Sequence, residues 1–220
     1  MPGCCDPSGY ADVFGGRFAR AQARRYRKRG LDRTAQRLVD FLAGRGVEGA
    51  TVLEIGGGVG EIQLELLRRG AARTTNLELV SEYDALARQL ATDEGVADRV
   101  DRRIVDIATT PDEVEDADVV VLHRVVCCYR DYEKLLRAAA EHARHSLVLS
   151  YPPPTLANRM MLRVENAWHR LRRNSFRAFT HSPDDMMRVL HGAGLRTSYQ
   201  HRGRVWHVAG LERPAAREAG

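Results

Sequence analysis

The residues whose types and spacing carry the most chemistry lie between positions 51 and 61, Thr-Val-Leu-Glu-Ile-Gly-Gly-Gly-Val-Gly-Glu. A short apolar run, Val52 to Ile55, breaks into glycines at 56, 57, 58 and 60. Ile62, Leu64, Leu66 and Leu67 then set a helical rhythm. Strand, tight loop and helix in that order bring backbone N–H groups and a helix N-terminus to one point, where a polar or anionic ligand is held. Two common versions of this device are excluded. A dinucleotide fingerprint starting at Gly56 requires glycine at 61, where Glu61 stands and would repel a pyrophosphate. No Gly-Lys-Ser/Thr follows, so this is not a nucleotide-triphosphate loop. About 20 residues past the central glycines, Glu78 and Leu79 close the next candidate strand, Thr74 to Leu79, and an acid at that spacing can accept ribose hydroxyls.

Further candidates sit where later candidate strands end. Asp106 and Ile107 close the third. The fourth, rich in valine, ends in His123-Arg124-Val125-Val126-Cys127-Cys128-Tyr129. His123 is the candidate general base, since imidazole titrates near neutrality. The four cysteines form two adjacent pairs, Cys4-Cys5 and Cys127-Cys128. A disulfide between neighbours is strained, and without a C-x-x-C there is no zinc-ribbon or thioredoxin pattern. They read as free thiols, and no metal is expected. If the N-terminal arm folded over the loop after strand four, Cys4, Cys5, Cys127 and Cys128 together could hold a soft metal or metalloid.

The stretch Glu54-Ile-Gly56-Gly57-Gly58-Val-Gly60 resembles motif I of the class I S-adenosylmethionine-dependent methyltransferases, E/D-x-G-x-G-x-G. The resemblance runs from about Thr51 through the C-terminal strands. It implies S-adenosyl-L-methionine as cofactor, cradled by Glu54 and the four glycines. It implies Glu78 on the ribose with Leu79 beside it, Asp106 on the adenine amino group, Ile107 on the ring, and His123 at the methionine end. Tyr10, Cys127, Cys128 and Tyr129 are then expected to line the acceptor pocket. Methyl transfer from a sulfonium is an in-line displacement whose donor is already activated, so alignment rather than a strong base is the main requirement.

The elements that must position these residues alternate regularly. Strands are predicted at 51–55, 74–79, 100–105, 117–122 and 146–150. Helices are predicted at 60–69, 82–92 (capped by Ser81) and 131–143. This is the order of a doubly wound α/β fold with helices on both faces of a mostly parallel sheet. A helix at 183–194, opened by Ser182-Pro183-Asp184-Asp185, leads to strands at 196–200 and 205–210. By the resemblance these close a seven-stranded sheet.

Three units are expected: an arm and helical lid over 1–46, the cofactor-binding domain over 47–213, and a frayed tail over 214–220. Residues 1–16 read as irregular, followed by a basic helix at 17–30 and a second helix at 32–43. The basic helix reads first as a solvated face and second as a lid donating Arg or Tyr to an acidic ligand. Within the domain, Pro152-Pro153-Pro154 and an amphipathic helix at 156–172 belong to an insertion at about 152–180. It resembles the substrate caps of small-molecule enzymes, Mg-protoporphyrin methyltransferases among them.

At 220 residues, with 44% hydrophobic and 29% charged side chains, one full core is expected. No apolar run reaches the ~18 residues that span a bilayer, and no secretory leader pattern opens the chain; a cytoplasmic protein is the expectation. Net charge is +5, and nearly all the basic residues are arginine. The best-supported reading is methyl transfer to a small molecule. The alternatives are a methyltransferase acting on RNA or protein, a non-catalytic S-adenosylmethionine-binding module, and a thiol or metalloid methyltransferase. Aromatic interleaving for base stacking is sparse. The catalytic N/D-P-P-Y/F signature is also missing, its residues appearing in another order as Ser150-Tyr151-Pro152-Pro153. The sequence does not specify the acceptor or the oligomeric state.

Overall fold

The structure, a computed structural model, describes residues 7–214. Seven strands form one sheet: β1 (Thr51–Ile55), β2 (Arg73–Glu78), β3 (Val100–Ile104), β4 (Ala117–His123), β5 (Ala143–Tyr151), β6 (Arg196–Arg202) and β7 (His207–Glu212). Their order is β3-β2-β1-β4-β5-β7-β6. The first five strands pair in parallel, and β7 runs antiparallel between β5 and β6. The central strands β1 and β4 are buried on both faces, as a parallel sheet covered on both sides requires.

Among the described residues eight α-helices surround it: α1 (Pro7–Phe14), α2 (Gly16–Arg29), α3 (Arg33–Ala43), α4 (Glu61–Arg68), α5 (Asp84–Asp93), α6 (Tyr132–Glu141), α7 (Leu156–Leu171) and α8 (Pro183–Gly192). One core layer joins α6 and α8 to the sheet through Leu135, Leu136, Met186 and Leu190. The other joins α2 to α5 through Ala23, Leu38, Leu42, Ile62, Leu66 and Leu90.

Two local expectations are corrected. Residues 7–14 are helical: α1 docks Tyr10 and Phe14 on Phe176, with ring centroids 5.9 and 5.3 Å apart. Tertiary packing thus holds a helix whose Pro, Ser and Gly give it little propensity. Ser81 does not cap α5; it opens a 3-10 turn, Ser81–Tyr83, that leads into the helix.

In an open sheet the ligand crevice lies where strand order reverses, at the carboxyl ends. That point is between β1 and β4. The segments after β1, β2, β3 and β4 converge there, and α1 and α2 cross above them.

Candidate active site

The convergence encloses a cavity of about 410 Å³. Gly56, Gly58 and Glu61 come from the β1–α4 turn, Glu78 and Leu79 from the end of β2, and Asp106 and Ile107 from the segment after β3. His123, Arg124, Cys128 and Tyr129 follow β4. Tyr10, Phe14, Phe18, Gln22 and Arg25 close it from α1 and α2.

The glycine loop rests on a buried polar floor. Glu54 on β1 and Asn76 on β2 are partners in the strand register. The Asn76 amide donates to Glu54 Oε2, which also accepts the Gln63 N–H at the start of α4, both at 3.3 Å. Thr74 donates to Gln63 Oε1 at 3.1 Å. Burial pushes the Glu54 carboxyl up to about 8, so it is largely protonated at neutral pH. Glu54 therefore lies beneath the loop, outside the cavity lining, and braces it from below. A Cβ at Gly57 would collide with Asn76 and Glu54, so only glycine lets the loop sit on this floor.

Above the floor, Glu78 fixes the loop from the side. Its Oε2 accepts the Gly58 N–H at 2.8 Å, and its Oε1 accepts those of Leu79 (2.8 Å) and Val80 (3.2 Å). Burial raises its pKa, and the three N–H groups oppose that shift. Asp106 accepts the Tyr129 hydroxyl on both oxygens, at 3.0 and 2.8 Å, and the Ala108 N–H at 3.0 Å. The Tyr129 hydroxyl thus belongs to the Asp106 wall.

His123 is held at Nδ1 by Ser150 Oγ at 2.9 Å, and the same oxygen accepts the Arg124 N–H at 3.0 Å. Its Nε2 is buried and has no partner. Burial, aided by the neighbouring Arg124 charge, lowers its pKa to about 3. The ring is neutral, and this low basicity makes it a weak general base. Arg124 has φ 61°, a conformation that costs a side-chain-bearing residue of order 1 kcal/mol or more. Its guanidinium bonds Asp32 at 2.7 Å and lies 5.0 Å from the Trp206 ring centroid.

Sequence reasoning missed an ion-pair chain. Arg25 of α2 bridges Glu61 Oε1 at 2.7 Å and Asp32 at 3.1 Å, and Asp32 continues to Arg124. Glu61 is 3% exposed, and its second oxygen, Oε2, is buried without a partner. Burial pushes the Asp32 carboxyl up, but the Ala35 N–H and the Arg124 charge outweigh it and hold the group near 2. The signals in the sequence were faint: Asp32 is a helix cap, and Arg25 is one arginine among many. Arg17, Arg20, Arg24, Arg27, Lys28 and Arg29 are exposed, as a solvated face requires, while Arg25 turns inward.

The remaining expected residues divide. Cys128 lines the cavity and Cys127 sits behind it, with the two Sγ atoms 3.8 Å apart. The Cys128 hydrogen bond lowers the Cys127 pKa, and the same contact raises that of Cys128. The Arg124 charge has only a small effect here. Tyr10 donates to the Cys128 carbonyl at 2.8 Å. Gly60 precedes α4 outside the lining. Cys4 and Cys5 lie outside the described residues. Among the described residues no group of three or more His, Cys, Asp or Glu could hold a metal ion. No described helix is long and apolar enough to cross a membrane.

Glycine loop, strand-end acids and strand order together define a Rossmann-like methyltransferase fold. Residues 23–200 match the family model described as "Methyltransferase domain", and the chain belongs to that family. It is an S-adenosylmethionine-dependent methyltransferase. A search of curated proteins finds no match.

Among solved structures it is similar to magnesium protoporphyrin IX methyltransferase from Synechocystis PCC 6803 with bound S-adenosylhomocysteine. Identity is 19% and the TM-score 0.75, covering 95% of this chain and 100% of that one. It is also similar to an O-methyltransferase family protein from Burkholderia thailandensis, at 20% identity and TM-score 0.70, covering 95% of this chain and 62% of that one. A third is an O-methyltransferase family 2 protein from Planctomyces limnophilus DSM 3776 in complex with apigenin. There identity is 19% and the TM-score 0.59, covering 94% of this chain and 69% of that one.

Proposed function

We propose that the enzyme transfers a methyl group to a small-molecule acceptor inside the cavity, with α1 and α2 as a lid. The observation that carries this reading is the covering of the cavity by two helices. Tyr10, Phe14, Phe18, Gln22 and Arg25 extend over the glycine loop and strand ends and form one side of a partly open pocket of small-molecule size. The structural neighbours include proteins whose names specify magnesium protoporphyrin IX and a complex with apigenin.

The residues present fit S-adenosylmethionine. Glu78 faces the ribose. Three of a carboxylate's roughly four acceptor sites are already used, so one hydroxyl fits directly and a second displaces a loop N–H. Asp106 and Ile107 take the adenine edge and ring. The orphaned Glu61 Oε2 and the Arg25 guanidinium make a charge pair complementary to the ammonium and carboxylate of an amino acid. When bound, the donor supplies an electrophilic methyl group. The protein's part is to orient the acceptor and exclude water. His123 Nε2 offers a hydrogen bond to the acceptor without needing to act as a strong base. Tyr10, Phe14 and Cys128 form the apolar acceptor wall.

The test uses methyl-labelled S-adenosylmethionine with the full chain and three acceptor pools: a low-mass metabolite extract, RNA and protein. Label in the low-mass pool is expected. Label confined to RNA or protein would overturn the small-molecule reading.

A further inference from the structure

Helix α7 is turned the opposite way from an ordinary surface helix. An amphipathic helix packs its apolar stripe on the core, and the 156–171 sequence has such a stripe. Yet Leu156 is 75% exposed, Val164 67%, Trp168 51% and Leu171 77%, with Met160 and Met161 also in solvent. At about 100° per residue these six side chains share one face of the helix. Only Leu162, on the opposite face, is buried in the body of the protein. Among the described residues this is where the exposed large apolar side chains concentrate.

One border of the stripe is cationic: Arg159, Arg163 and Arg170 follow it. The other carries Asn158, Glu165 and His169 and ends at Arg172, whose guanidinium lies 4.3 Å from the Trp168 ring centroid. Glu165 is the only acid in the helix. An apolar face flanked by long cationic side chains, with tryptophan near its edge, is the arrangement of a helix lying in a lipid headgroup layer.

We propose that α7 docks the enzyme on an anionic lipid bilayer, its apolar stripe in the acyl boundary and its arginines among the headgroups. Position adds a consequence. Leu162 packs with Phe176 and Ala178 against Tyr10, Phe14 and Cys128, three residues of the cavity wall. Docking through α7 therefore sets the acceptor side of the cavity beside the bilayer, where a lipophilic acceptor resides. The apolar face and its arginines favour a bilayer whether or not the acceptor is a small molecule.

The experiment is flotation of the full chain with vesicles of phosphatidylcholine alone or mixed with phosphatidylglycerol. Binding to the anionic vesicles only, weakening as salt rises, is expected. Val164→Glu is expected to lower the partition about tenfold or more, and Arg163→Gln and Arg170→Gln about fivefold each. S-adenosylmethionine affinity stays at the wild-type value, because none of these side chains reaches the cavity. In a Trp206→Phe background, brominated lipid quenches Trp168. Failure to bind either vesicle overturns the proposal, as does equal binding to both. A concentration-dependent increase in mass that Val164→Glu abolishes overturns it too, by assigning the face to a second copy of the chain.

Discussion

On one wall of the cavity, Glu78 and Asp106 are tied to backbone N–H groups and to Tyr129, and the loop between them rests on a buried floor of Glu54, Gln63 and Asn76. On the opposite wall, Tyr10, Phe14, Phe18 and Cys128 meet mainly through ring contacts and apolar packing, with the Tyr10 hydroxyl donating to the Cys128 carbonyl. Directional bonds hold polar groups to one geometry, whereas apolar packing tolerates substitution as long as volume is kept. A wall of the first kind suits a ligand that never changes, and a wall of the second kind suits one that differs between relatives. The Glu61–Arg25–Asp32–Arg124 chain joins the two, fastening α2 to the loop and to the end of β4.

The substitution expected to break the polar wall most completely is Gly58→Val. Gly58 has φ +56°, and an added Cβ would lie 3.0 Å from Gln22 Oε1 and 3.2 Å from Tyr83 Cε1. The side chain meets the covering helix as well as backbone strain. Calorimetry is expected to detect no S-adenosylmethionine binding, while circular dichroism reports nearly unchanged helix content.

Glu78→Ala comes next. It removes the proposed ribose acceptor and releases three N–H groups, so affinity is expected to fall by about 1.5–3 kcal/mol, the range for hydrogen bonds to a charged group. Unchanged affinity in a folded variant removes Glu78 from the ribose site.

The smallest effect concerns the floor and is read as pH dependence. The Glu54 carboxyl lies near 8 in the folded chain against 4.5 ordinarily. Between those values the native state keeps a proton that the unfolded chain has released, so stability falls as pH rises through this window. Glu54→Gln keeps an acceptor for Gln63 and Asn76 and has no proton to lose. Thermal melts from pH 5 to 8 are expected to show a flatter curve for the variant than for the wild type.

The polar wall was the more legible in sequence. Glycines at fixed offsets, an acid about 20 residues on, and Val-rich strands with regular spacing report backbone geometry, which local residues impose. Glu54 shows the limit of that reading. Its place in the motif suggested a ligand contact, but the register pairs it with Asn76 and turns its carboxyl group under the loop. The other wall depends on which distant segments meet. Nothing within Pro7–Phe14 signals a helix, because Phe176 supplies its packing surface. Arg25 reads like its neighbours until Glu61 and Asp32 are placed beside it. The apolar rhythm of α7 is plain in the sequence, but its outward direction is a tertiary fact.

The central claim is that S-adenosylmethionine lies between the glycine loop and α2, against Glu78 and Asp106. Hydrogen exchange of the wild-type chain with and without the cofactor tests it most directly. The account predicts slowed exchange at the amides of Gly58, Leu79, Val80 and Ala108 and along α2 around Gln22 to Tyr26. Protection confined to other segments, or saturating cofactor with no change at these amides, would contradict it.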